Sequence, residues 1–285
     1  MATGTGPAVR RRQLMAELKR LRESTGLTQE EVAGQLDWHP TKLMRIETGR
    51  TAPHPNDVRF MLEVYGVADT CVLTGLLKLA KDARQRGWWY SYKDVLFSRF
   101  ELFLGLESEA ATIRDFELTM IPGLLQTEDY ARELMRGVMN VDVAELERRV
   151  ELRIARQRIL GREGAPHVWV ILDEAAVRRV VGGKAIMRAQ LLHLANAAGH
   201  GRTTIQVLPY SAGPHPGQAG PFIILGFTEL TEPEVVYMET VGGNLYVDKP
   251  EEVRIFAAAF NQICAAALSP AQSVAMLLAL SGELT

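Results

Sequence analysis

The sequence predicts an all-α N-terminal domain of about five helices, residues 1–86, followed by an α+β domain, residues 87–285. Three observations carry this. Up to residue 86 the apolar residues recur at spacings of three and four, the period of an amphipathic helix. Beyond residue 88, short Val- and Ile-rich runs interleave with helical patterns, as strands do among helices. The charge changes sign at the same place. Residues 1–86 hold 14 Lys and Arg against 10 Asp and Glu, and residues 87–285 hold 18 against 24. The basic first part therefore suits an anionic partner better than the acidic second part does.

The first helix spans residues 10–24, with Leu14, Leu18 and Leu21 on one face and Gly26 ending it. A short helix follows over residues 28–36, where Thr28 stands three residues before Glu31 in a capping-box pattern. Residues 37–39 form a tight turn. The third helix runs from Pro40 to Thr48, and Gly49 is its C-cap. Two prolines make residues 51–55 a loop. Residues 56–65 and 69–81 are further amphipathic helices. Arg84, Arg86 and the aromatic run Trp88-Trp89-Tyr90 mark a domain junction.

In the second part, residues 94–106 read as a helix and residues 111–121 alternate as a strand. Residues 128–136 and 142–160 are helices, the latter with Val143, Leu146, Val150 and Ile154 on one face. Residues 167–172 form a buried strand and 185–198 a helix. Strands follow at 203–208, 222–227 and 235–239, with a short one at 244–247. A helix over 251–268 places Val253, Phe256, Phe260 and Ile263 together. Ser269, Pro270 and Gln272 then restart a helix as N-cap, first residue and third residue.

Composition excludes several classes. With 47% hydrophobic and 23% charged residues, the chain is neither a disordered tail nor a collagen-like rod. The longest apolar run, residues 274–280, is far short of the roughly 20 residues a membrane-spanning helix needs. Arg10-Arg11-Arg12 precede no apolar stretch, so no secretory signal is expected and the protein is expected to be cytoplasmic. Cys71 and Cys264 are read as two buried thiols in a reducing compartment. The six histidines lack metal-ligand pairing, and no Gly-x-Ser-x-Gly elbow occurs. Asp173-Glu174 are adjacent carboxylates, but Asp173 suits a helix N-cap. No enzyme, metal or cofactor is expected.

Residues 26–50 carry the most information. Two short helices crossing steeply need a small residue at their contact, and Ala33 supplies it. They need a turn residue that tolerates left-handed backbone, and Asp37 stands there. Val32, Leu36, Trp38, Leu43 and Ile46 have the spacing to pin the second helix to a bundle. His39, Thr41, Lys42 and Arg45 remain on its other face. Arginine can make paired hydrogen bonds to guanine O6 and N7. Gln29 opens the first helix, where an amide can hold a phosphate. The strings Leu27-Thr28-Gln29-Glu30-Glu31-Val32-Ala33 and Arg45-Ile46-Glu47-x-Gly49 resemble the phage-repressor-like, Xre-type helix-turn-helix family. The resemblance implies double-stranded DNA as partner and transcription regulation as function. It gives Gln29 a backbone contact, Thr41 and Arg45 base contacts and Lys42 a phosphate or base contact. Glu47 would pair with a basic residue of the first helix. His39 replaces the usual Ser or Thr cap, and Pro40 replaces a frequent base reader.

Further strings are Pro122-Gly123-Leu124-Leu125-Gln126-Thr127-Glu128-Asp129-Tyr130-Ala131, Arg153-x-x-Arg156-Gln157, Leu172-Asp173-Glu174-Ala175, Arg188-Ala189-Gln190-Leu191 and Gly220-Pro221-Phe222. They resemble the C-terminal domain of a large family of bacterial antitoxin-like transcriptional regulators. That resemblance implies a small protein encoded nearby as partner. Candidate anchors for it are Trp88, Trp89, Arg149, Arg153, Arg156 and His215. Each has a plainer reading. The tryptophans would equally serve as interdomain core. The arginines, at spacings of four and three, more often form a solvated face, here paired with Glu145 and Glu147. The loop around His215 is either a flap or partner-contact loop, or a plain hairpin connection. The expected function is a sequence-specific DNA-binding regulator, working as a homodimer, whose C-terminal domain binds a small partner protein. The alternatives are the antitoxin of a toxin–antitoxin pair that regulates its own genes, and a small-molecule sensor.

Overall fold

Helix α1 (Pro7–Ser24) opens with a proline in its first turn, where a missing N–H costs nothing. No side chain of its own caps it. Instead Glu109 closes the end from 100 residues away, its carboxylate accepting from Ala8 N and Val9 N at 2.8 Å each. The computed structural model describes residues 6–49, 51–85, 87–96, 98–198, 201–228, 233–240 and 242–284. Arg50, Arg86 and His200 lie outside them.

After α1 come α2 (Gln29–Gln35), α3 (Pro40–Glu47), α4 (Pro55–Val64) and α5 (Thr70–Asp82), each within two residues of its expected bounds. Their apolar faces meet in one core of Leu14, Leu18, Val32, Leu43, Ile46, Val58, Met61, Leu62 and Leu76. A 3-10 turn (Trp88–Tyr92) leads into α6 (Ser98–Glu109), which begins four residues later than expected and packs on α1. Trp89 is buried, and Gly105 has no room for a Cβ because Ala8 and the Trp89 ring press against it. The chain thus divides into residues 1–109 and 110–285. The junction expected at residues 86–87 falls inside the first unit. The aromatic run is not a linker there, because Trp89 and α6 complete the helical unit.

The second unit is built on a six-stranded sheet in the order β3-β2-β1-β4-β5-β6. The strands are β1 (Thr112–Glu117), β2 (His167–Asp173), β3 (Thr203–Leu208), β4 (Phe222–Gly226), β5 (Val235–Thr240) and β6 (Gly243–Val247). The first three are parallel, with β4, β5 and β6 added antiparallel. Parallel neighbours need crossovers. Helices α7 (Glu128–Val138) and α8 (Val143–Gln157) link β1 to β2, and α9 (Glu174–Arg178) and α10 (Lys184–Ala198) link β2 to β3. One sheet face, with Phe116, Ile171, Phe222, Ile224 and Val236, packs on Val253, Phe260 and Ile263 of α11 (Pro250–Ala266).

Helix α12 (Pro270–Glu283) begins with the expected capping box at Ser269 and Gln272. The link from α11 to α12 also covers the open edge of β3. Leu268 N donates to Val207 O, and Val207 N donates to Ser273 Oγ, both at 2.9 Å. The backbone groups of Val207 are thereby taken from the edge that another strand would pair with. Among the described residues no single helix is long and apolar enough to cross a membrane. Cys264 is half-buried, but Cys71 is exposed, contrary to the expectation of two buried thiols. It sits in the first turn of α5, on the face away from the core.

Candidate nucleic-acid interface

The pair α2–α3 is framed by local chemistry. Thr28 accepts from Glu31 N at 3.2 Å, and the Glu31 carboxylate accepts from Thr28 N at 2.8 Å. The Thr28 bonds also hold the Glu31 carboxyl below its usual range. At the other end Trp38 N donates to Ala33 O at 2.8 Å and Asp37 N to Gly34 O at 3.3 Å, a Schellman motif. The motif requires left-handed backbone at its centre, and Asp37 has φ 53°. Ala33, Leu43 and Ile46 are fully buried, and Leu36 and Trp38 pack beside them.

Glu47 ties this pair to α1. Its buried carboxylate accepts from Arg22 Nε at 2.6 Å and from Gln29 Nε2 at 2.7 Å. The expected pairing of Glu47 with a basic residue of the first helix is present. The Gln29 amide, expected at a phosphate, is turned onto Glu47 instead, because a buried carboxylate needs every donor within reach.

The outward side of α3 carries His39, Lys42 and Arg45, all exposed, with Thr41 half-buried. His39 caps the helix, its Nδ1 accepting from Thr41 N at 3.3 Å. These residues line a groove of about 550 Å³ with Thr51, His54, Asp57 and Arg84. Among the described residues the Arg45 side chain has no hydrogen bond or ion pair. Lys42 is engaged: its Nζ lies 2.8 Å from Asp57 Oδ1 and 3.6 Å from the centre of the Trp38 ring. Asp57, His54 and Arg84 were not among the site residues the sequence suggested. The one local signal was His54 three residues before Asp57, which forms a second capping box at the start of α4.

The candidates in the second unit have inward roles. Arg149 is mostly buried and pairs with Glu145 at 2.7 Å, as the plainer reading expected. Glu147 pairs with Arg132 rather than with this face. Arg153 donates to Gln126 Oε1 at 2.7 Å, and Arg156 is buried. A Cβ on Gly123 would sit 2.9 Å from both guanidinium groups. Gln157 donates to Gly123 O and Gln126 O, and Gln190 bridges Leu125 O and Thr127 N. The loop from Pro122 to Thr127 is therefore clasped by α8 and α10, and Arg153 and Arg156 take part in that clasp.

Glu117, at the end of β1, lies near these arginines. Desolvation pushes its carboxyl well above the usual range, Asp115 and Glu239 add to this, and Arg153 and Arg156 oppose it. The His215 side chain is buried too, against Phe116 and 3.9 Å from Asp173. Tyr210 N donates to Glu174 at 2.8 Å. Gly217 fits under the Phe116 ring with no space for a Cβ. His215 and Gly217 thus hold the loop against the sheet at two points. Asp173 caps α9 as expected, accepting from Ala175 N at 2.8 Å. Trp89 is buried in the first unit, while Trp88 is partly exposed and donates to Ser108 Oγ at 3.1 Å.

Residues 100–279 match the family model described as a domain of unknown function (DUF5753). Residues 13–72 match the model of a helix-turn-helix domain. No curated protein and no solved structure matches the chain.

Proposed function

The chain belongs to the DUF5753 family and carries a helix-turn-helix domain ahead of it, and on that premise we propose that it is a sequence-specific DNA-binding transcriptional regulator. The observation that carries the reading is the outer side of α3. Exposed His39, Lys42 and Arg45 stand along a groove on a rigid pair of capped helices. In this reading α3 enters the major groove and Arg45 reads a base edge. Thr41 assists it, and Gln29 acts through its position at the start of α2. Two chains act together, since one half-site buries little surface and binds weakly.

Selection of a preferred duplex from a random pool tests the reading, followed by Arg45→Ala on the selected sequence. The variant is expected to lose about 1–3 kcal/mol and to relax preference at one base position. Unchanged affinity and unchanged preference would show that α3 does not read bases.

Residues 110–285 form the sensing part in this proposal, with a small protein as the partner. The acidic balance of the second part and its likeness to antitoxin-like regulators support this. Binding there would shift the population of DNA-competent dimers. The full chain should then capture the small protein encoded by the adjacent gene. If no complex forms at micromolar concentration, the partner reading falls and a small-molecule sensor replaces it.

A further inference from the structure

The groove beside α3 is lined by His39, Lys42, Arg45, His54 and Arg84, and among the described residues it contains a single carboxylate, Asp57. That carboxylate is fixed from two sides. Its Oδ2 accepts from His54 N at 3.4 Å in the α4 capping box, and its Oδ1 lies 2.8 Å from Lys42 Nζ. Lys42 is held at a second point by the Trp38 ring, 3.6 Å below its ammonium. Trp38 belongs to the turn, Lys42 to α3 and Asp57 to α4. A lysine on an exposed recognition surface is thus neutralised by a carboxylate that the fold holds in place.

We propose that Asp57 is a specificity-determining residue that restrains binding to arbitrary DNA by occupying Lys42. The proposal rests on the DNA-binding reading and adds its regulation by charge. A lysine already paired with a carboxylate releases few counterions when it meets a phosphate, so it adds little to sequence-independent affinity. A phosphate approaching Lys42 also meets the Asp57 charge. Arg45, which has no such partner among the described residues, is left to decide between sequences. Natural separation of specific from non-specific binding needs this kind of unfavourable element as well as favourable contacts.

The test uses the full chain, a random-sequence 20-base-pair duplex and the selected duplex, with binding followed by fluorescence anisotropy between 50 and 250 mM NaCl. Asp57→Asn and Asp57→Ser both remove the charge and keep an oxygen that can accept from His54 N, so the α4 cap survives. Both are expected to bind the random duplex about threefold to tenfold more tightly at 100 mM salt. The slope of log affinity against log salt should steepen by about 0.9, the value for one further phosphate contact. The ratio between selected and random duplexes should fall. Adding Lys42→Ala to Asp57→Asn should abolish the gain. Slopes equal to the parent's in both Asp57 variants, or a gain that survives Lys42→Ala, would overturn the proposal while leaving the DNA reading intact. A parent chain that binds neither duplex at any salt would overturn both.

Discussion

Asp37 holds the turn between α2 and α3 at φ 53°, and it is the single non-glycine residue with positive φ among the described residues. Left-handed backbone costs a residue with a Cβ roughly 1–2 kcal/mol, and somewhat less for Asp. The Schellman position it occupies is one that glycine fills in most helices. Asp37→Gly should therefore stabilise the first unit by about 0.5–1 kcal/mol, with part of the gain returned to the greater freedom of glycine in the unfolded chain. Urea unfolding followed by far-UV circular dichroism reads this directly. A destabilised variant would mean that the aspartate side chain holds the turn by a contact its backbone strain conceals. The turn was legible because it is written in adjacent residues. The Lys42–Asp57 pair was not, since its members are 15 residues apart and meet only because α3 and α4 cross.

Among the elements, β1 carries the titratable position with the clearest consequence. Glu117 holds its proton well above the usual carboxylate range, chiefly through desolvation, with Asp115 and Glu239 adding to it. The folded chain thus binds this proton more tightly than the unfolded chain, whose value lies near 4.3. Its contribution is fully present below the unfolded value and is lost as pH rises through the folded one. The stability difference between the parent and Glu117→Gln should therefore shift against the parent as pH rises from about 4.5. Urea midpoints of both proteins at several pH values check this, and a constant difference would exclude it. Element bounds were largely legible here, because strands and caps are local. Ser269 caps the helix its spacing promised, and Asp173 takes the N-cap role its residue type suits. Helix α9 was not, since five residues are too few for a period to show. The order of the strands was also hidden, because pairing is decided by distant partners. The same cause hid the inward contacts of Arg153 and Arg156. Their spacing marks a helix face, but the loop at Pro122–Gly123 that clasps them lies some 30 residues earlier.

For the molecule as a whole, the place where the first unit ends has a testable consequence. A cut at residue 86 would separate a complete α1–α5 core from the rest if the charge change marked the boundary. The structure instead makes α1 depend on residues 87–109. Glu109 supplies the only N-terminal cap α1 has among the described residues, with two charge-assisted bonds to Ala8 N and Val9 N. Helix α6 packs on α1, and Gly105 admits both Ala8 and Trp89 at close range. Losing the cap alone costs about 1 kcal/mol, and losing the apolar contacts of α6 adds to it. A fragment of residues 1–109 is therefore expected to unfold in one cooperative urea transition, with a midpoint well above that of residues 1–86. In the shorter fragment, amide exchange should be fastest in the first turns of α1, where the cap is gone. Glu109→Gln in the longer fragment isolates the cap, since it keeps the shape and removes the charge that strengthens both bonds. Equal midpoints for the two fragments, with equal protection at Ala8 and Val9, would show that α6 is no part of the unit that holds the helix-turn-helix.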